Sequence, residues 1–396
     1  MPEAVIVDAV RTPIGRAVKG SLRHVRGDDL ASVPLRALVE RNPDVDFAQV
    51  SDIMMGCGFG EGEQGYNVGR NAALLAGIDH HVPATTVNRF CASSLQTLRM
   101  AFHAIRAGEG DTYVAAGVEA VSRAGGGASF EFHPKLDGSE NSLYNVYIPM
   151  GLTAENVAER CHVSREAQDE WAVVSQNRAV QAQESGHFDK EIVPVQTPAA
   201  RETTKEGEEV DVPAATVARD DGPRPGTTME KLAQLRPAFR EDGTVTAGNA
   251  CPLNDGAAAA LVMSQKRARE LGLTPRVRIR ASHVAAIRPE IMGLGPIPAV
   301  QGVLAQAGMT IDDIDVIELN EAFAAQVVPC KEEWGIDDDQ LNPFGGAIAL
   351  GHPFGMTGAR IMTTLINDLE TMDRSIGLET MCVAGGMGQA MIVERL

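Results

Sequence analysis

The feature that most narrows the fold of this chain is an element order that occurs twice. Residues 82–88 form a short β-branched run, after which Leu95, Leu98, Phe102 and Ile105 recur at helical spacing until Gly108 ends the pattern. Residues 112–118 then read as a fully buried strand. Far downstream, a strand over 315–319 precedes a glycine-rich loop, a helix over about 356–372, and strands near 377–384 and 389–394. Strand, loop, long helix, strand thus appears once around Cys91 and once around His352. Residue similarity between the two stretches is weak, so the duplication rests on element order. It predicts two similar α/β halves related by a pseudo-twofold, with loops from both meeting at one central site.

The remaining pattern fits that reading. Strands are expected over 4–10, 52–56 and 277–287, and helices over 28–39, 67–76 and 297–307, the last opened by Pro298. Between 122 and 250 the texture changes: Gly125-Gly126-Gly127, an amphipathic helical region over 153–185, and a charged, Pro- and Gly-punctuated stretch over 196–224. This reads as an inserted loop domain rather than part of a sheet. The expected division is an N-terminal half over 1–121, completed by about 251–275, the insertion over 122–250, and a C-terminal half over 276–396.

A chain of 396 residues with 44% hydrophobic content is long enough for a sizeable core. Its 35 basic and 53 acidic residues give a net charge of −18, which disfavours nucleic acid as a partner and requires any anionic ligand to be held by a local cluster. The first residues lack the basic flank and apolar run of a signal peptide, and no stretch is apolar enough to span a bilayer, so the cytoplasm is expected, without membrane insertion. Six cysteines, at 57, 91, 161, 251, 330 and 382, form no CxxC pair or metal-ligand spacing. No metal and no disulfide framework are expected, and Cys57, Cys161 and Cys330 read as small buried hydrophobes.

Cys91 is different because it falls at a strand-to-helix junction. Unpaired N–H groups and the helix dipole at that end favour a thiolate and can donate to an oxyanion. His352 lies in a glycine-bounded loop, and imidazole titrates near neutral pH. Cys382 ends an apolar strand ahead of Val383-Ala384-Gly385-Gly386. A nucleophile with an acid/base partner outlines covalent catalysis.

Several segments in order resemble the thiolase family across nearly the whole chain: Asn88-Arg89-Phe90-Cys91-Ala92-Ser93, Thr153-Ala154-Glu155-Asn156, Thr246-Ala247-Gly248-Asn249-Ala250, Asn254-Asp255-Gly256, Asn320-Glu321-Ala322-Phe323, Gly345 to Pro353 with His352, and Cys382 with its glycines. The resemblance implies a five-layered αβαβα fold of two similar halves, with the insertion covering a coenzyme A site. It implies that Cys91 carries the acyl group, His352 takes the Cys91 proton, Cys382 protonates the departing enolate, and Asn320 fixes a water that donates to an oxyanion beside His352. A second oxyanion site would use the backbone N–H groups of Cys91 and Ala384. Arg224 aligns with a nucleotide-phosphate contact and equally reads as an exposed loop arginine; Phe239, Met150 and Phe323 are candidates for the pantetheine and acyl tunnel, or ordinary core.

Three positions depart from the short-chain pattern. Ala384 stands where glycine is usual, Pro149 where a histidine often lies, and Cys251 in place of a serine that would bind pantetheine. The Pro149 and Cys251 departures favour a degradative 3-ketoacyl-CoA thiolase of fatty-acid β-oxidation, with acetoacetyl-CoA thiolase as the alternative and a non-catalytic acyl-CoA or lipid-binding protein as the rival of another class. Acyl-CoA and coenzyme A as cosubstrate, no resident cofactor, self-association as a homodimer or homotetramer, and β-oxidation partner enzymes are the further implications. No GxxxxGK[ST] segment supports a nucleotide hydrolase.

Overall fold

The computed structural model describes residues 1–124, 131–203 and 207–396, so the Gly125-Gly126-Gly127 segment lies outside the described residues. Its frame is one continuous sheet. The principal strands are β1 (Ala4–Arg11), β2 (Asp52–Gly56), β3 (Ala84–Val87), β4 (Thr112–Ala120), β5 (Asn254–Ser264), β6 (Val277–Ala286), β7 (Val316–Leu319), β8 (Ile376–Val383) and β9 (Met387–Arg395). They lie in the order β7-β8-β9-β6-β1-β5-β4-β2-β3. The helices that matter here are α1 (Gly27–Arg41), α2 (Val68–Leu75), α3 (Ser93–Ala107), α4 (Met150–Cys161), α5 (Arg165–Glu184), α6 (Pro296–Ala307), α7 (Ala324–Trp334) and α8 (Thr357–Thr371).

The duplication is visible in strand directions. Reading outward, β1 to β5 and β5 to β4 are antiparallel, while β4 to β2 and β2 to β3 are parallel. From β6 the other half repeats this: β6 to β9 and β9 to β8 are antiparallel, β8 to β7 is parallel, and a parallel bridge from Ile317 to Leu341 stands where β3 would. The halves join edge to edge where Val5 and Ile6 of β1 pair antiparallel with Arg278 and Val277 of β6.

Alternation along the strands builds five layers, because successive side chains point to opposite faces. Val5, Ile53, Val114, Val118, Ala259 and Leu261 turn outward against α1 and α2. Ile317, Leu319, Leu378, Ala390 and Ile392 turn outward against α6 and α7. The opposite faces, with Ile6, Ala115, Val262, Met381 and Val393, enclose α3 and α8 as a central layer. A Cβ on Gly358 would come 2.2 Å from the backbone nitrogen of Leu95, so only glycine lets α8 approach α3 this closely.

Between β4 and β5 the described residues carry four short strands in two separate two-stranded sheets, Val195–Thr197 with Ala215–Val217 and Ala200–Thr203 with Glu209–Val212. The helical region expected over 153–185 is two helices, α4 and α5, separated where His162 takes a left-handed φ of 56°. Strand β5 was not individually legible, since Ala257 to Ala260 carry little β-propensity; complete burial between β1 and β4 overrides it. Helix α7 starts at Ala324 with Phe323 at its N-cap, so Asn320 stands ahead of the helix.

Gly358→Ala should force α3 and α8 apart and lower stability by about 1–3 kcal/mol, the usual cost of overpacking; urea unfolding would show an unchanged midpoint if the approach were not limiting.

Candidate active site

The turn bearing Cys91 is held in a conformation its sequence would not adopt unaided. Phe90 has φ of 43°, rare for an aromatic residue and costing about 1–3 kcal/mol. Side chains around it supply the restraint. Asn88 Oδ1 accepts from the Phe90 N–H at 2.8 Å, while Ser93 Oγ accepts from the Arg89 N–H at 2.9 Å and donates to the Phe90 carbonyl at 2.7 Å. Cys91 follows, buried, one turn ahead of α3.

Burial pushes the Cys91 thiol up to about 11, against the pull of the backbone N–H groups of Ala384 and of Cys91 itself. The helix-terminal thiolate expected from sequence is therefore not the resting form. Desolvation outweighs the helix end because the cost of burying a charge exceeds what partial dipoles return. Ala384 keeps its N–H available without strain. It is not among the residues with positive φ, and Gly385 and Gly386 take the left-handed values of 81° and 83° instead.

His352 is buried and its tautomer follows from its neighbours. Thr357 Oγ1 donates to the Pro353 carbonyl at 2.7 Å, so it can only accept from His352 Nδ1, 2.6 Å away. Nε2 is left with its lone pair, and Asn320 Nδ2 lies 3.3 Å from it. Desolvation first, and then the Arg360 charge, push the imidazole down to about 3. At rest the site thus holds a neutral thiol and a neutral imidazole whose Nε2 lone pair faces the Asn320 amide, suited to take up a proton once substrate is present. The loop is anchored by Asn254, whose Oδ1 accepts from the His352 N–H at 3.0 Å and whose Nδ2 donates to the Gly15 carbonyl.

Cys382 is fully buried at the end of β8, and its pKa is raised by burial and then by the neighbouring Cys91, Cys330 and Cys251. Cys251 is raised by burial and by Cys91, placing three thiols in one neighbourhood. Met150, Phe323, Ala250 and Cys382 share one apolar cluster, which forms a wall beside them. Phe239 stands edge-on to Phe323 at 6.1 Å and is 43% exposed. Arg224 is exposed; its N–H donates to Gln176 Oε1, and the Arg16 charge lies near enough to lower its pKa after the larger effect of burial. It borders a small cavity with Gln176, Thr227, Leu235, Gly248 and Ala250. The sequence-predicted residues thus divide into a buried group around Cys91 and a surface group around Arg224 and Phe239.

Of the thiols read as structural, Cys57 and Cys330 are buried, while Cys161 is only half-buried at the end of α4. Two carboxylates went unnoticed in the sequence. Glu119 accepts from the N–H groups of Gly58, Phe59 and Gly355, fastening the His352 loop to the end of β2. Glu321 accepts from Trp171 Nε1, Ser175 Oγ, Asn342 Nδ2 and the Ile348 N–H, tying α5 to the same loop. A buried acid between glycine-rich segments was the available signal for Glu321, which stands inside a quoted motif.

Comparison with known proteins agrees with this arrangement. The thiolase N-terminal domain family matches residues 4–266 and the thiolase C-terminal domain family matches residues 273–395. The chain belongs to the thiolase family. A β-ketoadipyl-CoA thiolase of Acinetobacter baylyi is 46% identical and a 3-ketoacyl-CoA thiolase of Erwinia tasmaniensis 48% identical, each alignment covering the whole of both chains. The crystal structure of a Bacillus anthracis acetyl-CoA acetyltransferase superposes with a TM-score of 0.89 at 37% identity, over 100% of this chain and 99% of that one. The five-layered arrangement of this thiolase is thus shared with a solved relative.

Because its pKa lies near 11, Cys91 of the ligand-free thiolase should be alkylated by iodoacetamide at a rate that keeps climbing as pH rises above neutral. Mass spectrometry of the Cys91 peptide reads the profile, and a plateau near neutrality would place a resting thiolate there.

Proposed function

We propose that the protein is a 3-ketoacyl-CoA thiolase: a coenzyme-A-dependent acyltransferase that cleaves 3-ketoacyl-CoA to acetyl-CoA and a shortened acyl-CoA. The observation that carries this reading is the neutral Cys91 and the neutral His352 with its Nε2 lone pair, both buried, with Cys382 buried within the field of Cys91. The Cys91 thiol gives its proton to His352 Nε2 as sulfur attacks the keto carbon. The backbone N–H groups of Cys91 and Ala384 then stabilise the oxyanion developing on the keto oxygen, an interaction that burial makes worth more than in water. Cleavage of the carbon–carbon bond leaves the acyl group on Cys91 and an acetyl-CoA enolate, which the Cys382 thiol protonates. The imidazolium N–H of His352 and a water held by Asn320 serve the acetyl-CoA thioester oxygen, on which the enolate charge builds. Coenzyme A then removes the acyl group.

In this reading Met150, Phe323, Phe239 and Cys251 line the pantetheine and acyl path, and Arg224 meets a nucleotide phosphate with support from Arg16. The protein works in the cytoplasm, in fatty-acid degradation beside other β-oxidation enzymes. It works as a homodimer or homotetramer: β3 ends the sheet with a free edge among the described residues, and Tyr66, Leu74 and Leu75 are exposed on the neighbouring segment.

Two measurements test this. The ratio kcat/KM over 3-ketoacyl-CoA esters from four carbons upward, with 3-oxoadipyl-CoA included, should rise with chain length. A sharp preference for acetoacetyl-CoA or for the dicarboxylic ester would replace the proposed substrate class. Cys382→Ser should still acylate Cys91 from an acyl-CoA yet lose about 10²–10⁴-fold in thiolysis, the range general acid–base groups supply; full thiolysis in that variant would remove Cys382 from the reaction.

A further inference from the structure

Around the central layer lies a second set of buried polar groups, of which the reaction above uses only Asn320 and Thr357. Helix α8 is buried along nearly its whole length, yet one face of it is polar: Thr357, Arg360, Thr364, Asn367 and Asp368 recur at three- and four-residue spacing. Strand alternation turns Glu318 of β7, Glu379 of β8 and Gln389 of β9 toward this face, since Ile317, Leu319, Leu378, Ala390 and Ile392 point the other way. Glu318 and Glu379 are register partners on adjacent strands, both within the field of Arg360.

These groups are short of partners. Asn320 Oδ1, Arg360 Nε and Nη1, both oxygens of Glu379 and both amide atoms of Gln389 make no hydrogen bond within the protein, while Glu318 and Asp368 share one with each other. All six side chains are at most 1% exposed. A buried polar group left dry is destabilising, so a cluster of them calls for bridging water. They are not spaced as metal ligands: among the described residues, the His, Cys, Asp and Glu atoms that converge on one point belong to Asp79, His80 and His81 on the surface.

The polar face connects two ends. At one, Thr357 holds His352 Nδ1, with Arg360 three residues further along the helix. At the other, Thr364 and Asn367 donate to Glu191 at 3.3 and 2.9 Å, and Asn367 Oδ1 accepts from Arg276, which pairs with the partly exposed Glu370. Burial favours the neutral form of Glu318, Glu379 and Asp368, so the cluster can hold protons beside a permanently charged arginine.

We propose that Asn320, Arg360, Glu318, Glu379, Gln389 and Asp368 enclose a file of buried water that exchanges protons between the catalytic pocket and bulk solvent at the Arg276–Glu370 end. A proton leaving the pocket passes to the first water and one is released at the surface, so charge balances at every step. The file matters when bound acyl-CoA fills the substrate entrance. Arg360 is a positioning residue here, fixing water rather than touching substrate. The proposal rests on the thiolase reading in one respect, that Cys382 exchanges the methyl protons of acetyl-CoA.

The test is the isotopic pattern of acetyl-CoA recovered early from incubation with the thiolase in D2O. If protons cross the file while acetyl-CoA stays bound, the first labelled product carries two or three deuterons. A wild-type pattern of single deuterons overturns the proposal. In Glu379→Leu/Gln389→Leu, an apolar plug, the pattern should collapse to single deuterons while thiolysis kcat stays within about twofold. Loss of label and of kcat by the same factor would mark a merely structural role and overturn it, as would an unchanged pattern. If the double variant does not fold, the wild-type pattern still decides. Cys382→Ser separates the two readings: label that persists in that variant unseats Cys382 as the proton carrier, whereas the number of deuterons per encounter still judges the file.

Discussion

Everything at the site depends on two helices being buried side by side between two sheet faces. Helices α3 and α8 leave from equivalent points of the two halves, and the close contact at Gly358 and Leu95 sets their N-terminal ends together. Cys91 precedes one helix and His352 the other, so the geometry of a helix pair becomes the geometry of a nucleophile and its base. Glu119 then fixes the His352 loop to the segment after β2 through three backbone N–H groups. A buried carboxylate with that many donors resists displacement, because any shift would leave either the charge or an amide unpaired.

Much of this was legible in the sequence because the informative units are local. The helical spacing of Leu95, Leu98, Phe102 and Ile105, and the punctuation by Gly108, give α3 within two residues at either end. The repeated strand, loop, helix, strand order points to two halves, but the match it makes between 82–88 and 315–319 does not hold: β7 takes the place of β2, and the counterpart of β3 is the single bridge at Leu341. What escaped depends on tertiary surroundings. The alanine run of β5 looks helical until its burial between two strands is known. Glu119 at the end of a β-branched run looks like the exposed terminus of a strand, and only the folded chain reveals the amides of Gly58 and Gly355 converging on it.

The same limit explains the acid pairs of the central layer. Glu318 and Glu379 lie in short strands whose neighbours alternate correctly, so a reader of the sequence assigns them to a solvated face. The duplication removes that option: with a helix layer on each side of the sheet, neither face is solvated. The alternation still holds, and the polar members of it are turned inward. Orphaned groups there follow from topology rather than from any local peculiarity.

The electrostatics of the pocket have one direction throughout: burial suppresses charge. The thiols of Cys91, Cys251 and Cys382 are held protonated and His352 is held neutral. A preformed thiolate–imidazolium pair would need solvation that this site excludes, whereas a proton transfer coupled to substrate creates the charges only where donors already point. The N–H groups of Cys91 and Ala384, which fail to ionise the resting thiol, are thereby left free for the oxygen that gains charge during acyl transfer. What weakens the nucleophile in the empty site is therefore the same desolvation that strengthens each hydrogen bond to the transition state, and the two effects are inseparable in a pocket buried this deeply.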